Sequence, residues 1–136
     1  MNKEIEKEFI KKFVEKQKRE RCLFELFSIK KRGEGIRQLS NKLIKNNIIP
    51  HGNTDKEIRE TIEKYFNLFD QKVYIISDME DIDGTVQYFE KAFNEVMCGS
   101  GTYIIVCGAD TIFLKDEDPG VGGGPPSKYI LHNKLV

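Results

Sequence analysis

The chain has 136 residues, with 22 Lys+Arg against 22 Asp+Glu and a formal net charge of zero; roughly two-thirds of the unfolded surface is buried by a chain of this size, which predicts one domain over 1–136 rather than two. Charged residues at 32 % and a hydrophobic fraction of 39 % exclude a membrane protein, since no apolar run approaches the ~18 residues needed to span and the MNKEIEKEFIKKF start lacks the apolar stretch of a signal peptide. Three irregularly spaced cysteines, Cys22, Cys98 and Cys107, argue against a disulfide scaffold and for a cytoplasmic location.

Residues 3–29 read as helix. Ile5, Phe9, Ile10, Phe13 and Val14 recur at three- and four-residue spacing, and Glu8–Lys12 and Glu15–Arg19 are i,i+4 pairs in the favourable order. The stripe lapses over EKQKRER (15–21) and returns at Leu23, Phe24, Leu26 and Phe27, so either one long helix with a polar middle, the preferred reading, or two helices breaking near Arg21 are expected. KKRGEG (30–35) reads as a turn, and a second helix follows over about 36–45. Pro50 and Gly52 stop it. Thr54-Asp55-Lys56-Glu57 is a capping box, opening a helix that carries Ile58, Ile62, Tyr65, Phe66 and Phe69.

Beyond Lys72 the pattern changes. Val73–Ile76 is a buried strand, the loop SDMEDIDG follows, and a third helix is expected over 85–97 with Val86, Phe89, Phe93, Val96 and Met97 inside, closed by Gly99. TYIIVC (102–107) and TIFLK (111–115) flank Gly108-Ala109-Asp110 as a hairpin. Residues 116–127 read as a flexible segment, and KYILH (128–132) as a last strand. The fold class is therefore α+β: a helical part over about 3–70, then a β-α-β-β-(β) part over about 72–132. Its sheet is antiparallel or mixed, with helices packed on one side.

Neutrality conceals a polarised layout. From Lys11 to Asn47 twelve Lys/Arg stand against four Glu; from Asp55 to Asp118 fifteen Asp/Glu stand against six Lys/Arg. Such asymmetry points to a charged partner, unless the halves neutralise each other inside the fold. On the acidic side the candidate partner-binding residues are Asp78, Glu80, Asp81, Asp83, Asp116, Glu117 and Asp118. On the basic side Lys12, Lys16 and Arg19, at i, i+4 and i+7, with Lys30, Lys31 and Arg32, form a candidate phosphate-neutralising strip. No helix-turn-helix or other reading motif accompanies it.

Four carboxylates within six residues also suit a hard cation. Aligned on Gly84 as an EF-hand glycine, Asp81, Asp83 and Glu90 fall on ligand positions, but Met79 occupies the first and a strand precedes the loop. Capping of the next helix by Asp83 or Thr85 is the expected role. PGVGGGPP lacks the Lys-then-Ser/Thr order of a phosphate loop, because Ser127 precedes Lys128. Cys98 at a helix C-terminus and Cys107 at the end of an apolar strand suit no nucleophile. His51 and His132 have no spacing to either, nor any zinc spacing. Neither a cofactor nor a metal site is expected.

The order strand, SDMEDIDG, helix, CGSGTYIIVCGAD, strand, EDPG, KYIL, preceded by KRERCLFELFSIKKR, resembles small stand-alone bacterial proteins of no established activity. The resemblance covers most of residues 15–131. Its landmarks are turns, so it implies a bacterial single-domain chain and transfers no catalytic residues. The leading expectation is a non-catalytic protein-binding or accessory protein of the immunity or defence-associated type, docking a charged protein through its acidic half. Association with nucleic acid through the basic helices is the alternative. A metal-dependent enzyme using Asp78, Glu80, Asp81 and Asp83 is the third. No membrane partner is expected.

Overall fold

A computed structural model describes residues 1–116 and 127–133. Helices α1 (Lys3–Phe13), α2 (Arg19–Leu26) and α3 (Arg32–Arg37) come first, then the two-residue strand β1 (Ile48–Ile49) and helix α4 (Asp55–Glu63). The second half contains β2 (Lys72–Ser77), β3 (Val86–Tyr88), α5 (Phe89–Cys98), β4 (Tyr103–Cys107), β5 (Thr111–Asp116) and β6 (Ser127–His132). The six strands form one sheet in the order β1-β6-β5-β4-β2-β3, every neighbouring pair antiparallel. The α+β class holds, and the β4–β5 hairpin turns where the sequence places it. Gly108, at φ +69, supplies the left-handed backbone that its turn needs.

Helices cover both faces of the sheet, rather than the one expected. Successive strand residues point to opposite sides. Val73, Ile75, Ile105, Phe113 and Ile130 pack with Ile58, Ile62, Phe89 and Phe93 from α4 and α5. Tyr74, Ile76, Ile104, Ile112, Leu114 and Leu131 pack with Phe9, Phe13, Leu26 and Ile36 from α1–α3. The continuous apolar runs VYII, YIIV and IFL are the sequence counterpart of this arrangement. A sheet wet on one face alternates apolar with polar residues, whereas one buried on both faces does not.

The long N-terminal helix is likewise broken. Val14 is extended, at φ −97 and ψ 138, and forms an isolated antiparallel bridge with Leu43. Ile44 N–H donates to Phe13 O, and Glu15 N–H to Lys42 O, both at 2.8 Å. The good helix formers at 15–21 would continue α1 on propensity alone, but fully burying Val14 outweighs that small preference. Glu15 then pairs with Lys18 instead of Arg19. RGEG, expected as a turn, is helical with Ile36 and Arg37, and the helix expected over about 36–45 ends at Arg37, with two short 3-10 turns after it; Gly35 permits a close helix crossing. A Cβ there would lie 2.9 Å from the Cβ of Glu25 on α2.

Around 54–69 the capping residue is as expected, but the helix is shorter. Thr54 Oγ1 accepts from Glu57 N–H at 3.1 Å and donates to Glu57 Oε1 at 2.8 Å. The helix ends at Glu63, leaving Phe69 exposed. The helix expected over 85–97 starts at Phe89, because Val86–Tyr88 pair with Lys72–Tyr74 as β3. Its N-cap, Tyr88, makes no side-chain cap. Glycine-rich residues 117–126, with Glu117 and Asp118, lie outside the described residues.

Candidate protein-binding edge

Of the two charged segments, part is consumed in holding the layers together. Arg32 lies at the start of α3, and its guanidinium forks between two carboxylates. Nη1 and Nη2 donate to Glu6 at 2.6 and 2.8 Å, while Nε and Nη2 donate to Asp83 at 2.7 and 2.9 Å. Glu6 is fully buried and also accepts from the Tyr74 hydroxyl at 2.6 Å, which in turn accepts from Asn2 N–H at 2.8 Å. Asp83 further accepts from Ser77 N–H at 3.1 Å. Burial works against the Arg32 charge, but hydrogen bonds to Asp83 and Glu6 outweigh it and raise its pKa above the ordinary arginine value. Burial, then the bond to Glu6, raises the Tyr74 phenol as well. The cluster ties α1, α3, β2 and the β2–β3 loop together.

Other predicted residues are engaged in similar ways. Asp78 accepts from Thr102 N–H at 2.8 Å and lies 3.5 Å from Arg37. Asp116 is buried and accepts from Ser40 and Thr102 hydroxyls. Lys12 donates to Ala109 O at 2.9 Å and lies 3.5 Å from Asp110, and Arg19 Nε donates to Val14 O at 3.0 Å. Asp78, Asp83, Asp116, Lys12, Arg19 and Arg32, each expected at a partner-facing surface, thus have partners within the chain. In each case the side chain meets a backbone or ionic partner of the same chain, at the surface for Lys12 and at partly or fully buried sites for the others. Glu80, Asp81, Lys16, Lys30 and Lys31 are exposed. The break at Val14 separates Lys12 from Lys16, so the i, i+4, i+7 strip does not form.

Neither does the acidic loop converge as a cation site. Among the described residues no three His, Cys, Asp or Glu side chains come together in a metal-holding group. Asp83 does not cap α5 either, being held by Arg32, and Thr85 Oγ1 donates to Ile82 O instead. Cys22 and Cys107 are buried; burial raises the Cys22 thiol to about 11 and that of Cys107 further. Both His51 nitrogens face backbone carbonyls, of Gly52 and Lys128, and His132 Nδ1 meets the Thr111 hydroxyl.

What remains open is the β3 side of the sheet. β3 is the terminal strand on that side among the described residues, so one row of its backbone groups is unpaired by any strand. Its two outer side chains are large, apolar in body and solvent-facing: Val86 is 57 % exposed and Tyr88 51 %. A groove runs along each flank. One, of about 560 Å³, lies between α1 and the sheet, lined by Ile5, Phe9, Val86 and Val106 together with Glu4 and Glu8 and two lysines, Lys12 and Lys72. The other, of about 450 Å³, is bounded by Leu68, Phe69 and Tyr88, with Glu63, Asp70 and Glu90 around it. Lys72, from the neighbouring strand, sits 5.4 Å from the Tyr88 ring centroid, and Arg59 pairs with Glu90.

The sequence reading missed this site. Spacing alone puts Val86 and Phe69 on the inner faces of helices, because it fits a helix as well as it fits a strand or a loop. A signal was present in Val86-Gln87-Tyr88, whose alternation suits a short edge strand, but three residues are too few for a period to register. Comparison with known proteins adds no neighbour: no family model, curated protein or solved structure matches this chain significantly. Among the described residues no helix is long and apolar enough to cross a membrane.

Proposed function

We propose that this protein is a non-catalytic binding protein of the immunity or defence-associated type, and that the β3 edge receives an extended segment of a partner protein. The supporting observation is the coincidence of an unpaired strand edge, exposed Val86 and Tyr88, and two flanking grooves whose linings hold Glu4, Glu8, Glu63, Asp70 and Glu90 against Lys12 and Lys72. Strand addition draws affinity from main-chain hydrogen bonds and specificity from grooves that take alternate side chains. Five carboxylates against two lysines leave the combined linings net acidic, which favours a partner segment in which Lys or Arg alternates with apolar residues, and opposed potentials speed its encounter. The partner is thus the basic protein expected of an acidic half, received at an edge rather than at the 78–83 loop.

The test is affinity purification of tagged protein from its native cell, with and without nuclease, alongside Val86→Lys. A stoichiometric protein partner that survives nuclease and is lost with Val86→Lys is the expected result. Complete loss on nuclease treatment selects the nucleic-acid reading. A partner that Val86→Lys leaves unaffected overturns the edge assignment.

A further inference from the structure

On a different surface the turn between α2 and α3 carries an independent feature. Ser28 O accepts from Lys31 N–H at 3.2 Å and from Arg32 N–H at 2.9 Å, which places Ile29 and Lys30 at the corner of a tight turn. Ile29 is 100 % exposed: no part of the fold touches it. One turn back on α2, Phe24 is 61 % exposed, and the Lys31 ammonium lies 5.1 Å from its ring centroid. Between them and Gln17 is a cleft of about 500 Å³ whose walls include Arg21, Phe24 and Lys31. Of the cleft's two carboxylates, Glu25 is held by Lys42 at 2.7 Å and lies 3.8 Å from Arg21, whose side chain stays 81 % exposed, and Glu20 also lines the cleft.

We infer that this turn is a peripheral docking point for an anionic lipid bilayer, with Ile29 entering the interface while Lys30, Lys31 and Arg21 meet the headgroup phosphates. Three features favour a bilayer over other partners. The apolar element is a convex tip, which a fluid interface admits without a matching pocket. Cations flank it closely, which suits anionic headgroups. An aromatic side chain beside those cations belongs at headgroup depth, where an apolar body and charge are both accommodated. Length of apolar runs, which argued against a membrane partner, bears only on spanning and not on lying against a surface. Nucleic acid would use the lysines and Arg21 but leave Ile29 without a role.

The probe is vesicles of phosphatidylcholine containing phosphatidylglycerol, compared with phosphatidylcholine alone, mixed with the full chain. The chain has no Trp, so Ile29→Trp provides a single reporter at the tip. Its emission is expected to shift to the blue with anionic vesicles only. In sedimentation of the otherwise native chain, Ile29→Ser should weaken binding about tenfold, the scale of losing one buried aliphatic side chain, and Lys30→Glu with Lys31→Glu should abolish it. Ile29 makes no packing contact, so circular dichroism should show these variants folded. Absence of binding to anionic vesicles, or binding that Ile29→Ser leaves unchanged, overturns the inference. Binding of duplex DNA through the same lysines, with vesicles left unbound, reassigns the surface to nucleic acid.

Discussion

Lys30, Lys31 and Arg32 are consecutive in one basic run, yet the fold puts them in opposite situations. Arg32 points inward and joins α3 to Glu6 of α1 and Asp83 of the β2–β3 loop; Lys30 and Lys31 stay in water beside a bare Ile29. Chemistry favours that division. A guanidinium offers a planar fork that can satisfy two carboxylates at once, whereas an ammonium is a compact, strongly hydrated charge. The acidic loop divides in the same way, Asp83 inward and Glu80 and Asp81 outward. Charge counted along a chain therefore does not measure charge available to a partner. Here the segregated halves meet at Arg32, Arg37 and Lys12.

Breaking the inward half of the contrast should have the largest effect. Arg32→Met leaves Glu6 buried and Asp83 half-buried without their cation, and should cost about 3–5 kcal/mol in chemical denaturation, the range for orphaning a buried charge. Lys30→Met and Lys31→Met, from the same run, should each stay within about 0.5 kcal/mol. Equal costs for the three would refute the division. Arg32→Lys should fall between them, because the charge is kept and the fork is lost.

Alkaline titration sharpens the same point. Cys22, Cys107 and Tyr74 have folded pKa values above their unfolded ones, so the folded state holds protons that the unfolded state releases. Their contribution is fully present below pH 9, where both states are protonated. It is lost as pH rises through 9 for the thiols and 10 for the phenol, at up to about 1.4 kcal/mol per pH unit for each group. Urea midpoints should accordingly fall between pH 8 and pH 11. Tyr74→Phe, although less stable at pH 8, should show a shallower decline above pH 10, and an unchanged slope would remove Tyr74 from the account.

Smaller effects are expected where local structure acts alone. Thr54→Ala removes the acceptor at the start of α4 and should cost about 1 kcal/mol, with no change in partner capture. Val86→Lys should change stability by no more than about 0.5 kcal/mol, since Val86 is more than half exposed, while eliminating the partner. A large loss of stability with Val86→Lys would show that β3 serves the fold and not an interface.

Much of the architecture was legible before any coordinates. VYII, YIIVC, TIFLK and KYILH read as strands because β-branched and aromatic runs of that length fit a sheet core. The Gly108 hairpin and the Thr54 cap followed from turn and capping chemistry, which act within a few residues. The candidate edge was not legible. Val86 and Tyr88 fit a helical pattern as readily as a strand, and only pairing with Lys72–Tyr74 decided between them.

Local sequence thus determined the four long strands, the Gly108 turn, the Thr54 cap and the cores of α1, α4 and α5, since propensity, capping and periodicity operate between near neighbours. Tertiary structure alone decided that α1 stops at Val14, that both sheet faces are covered, and that Arg32 is spent on Glu6 and Asp83. Each depends on groups brought together from distant parts of the chain, and burying Val14 or satisfying two carboxylates involves more free energy than any local preference at the same positions.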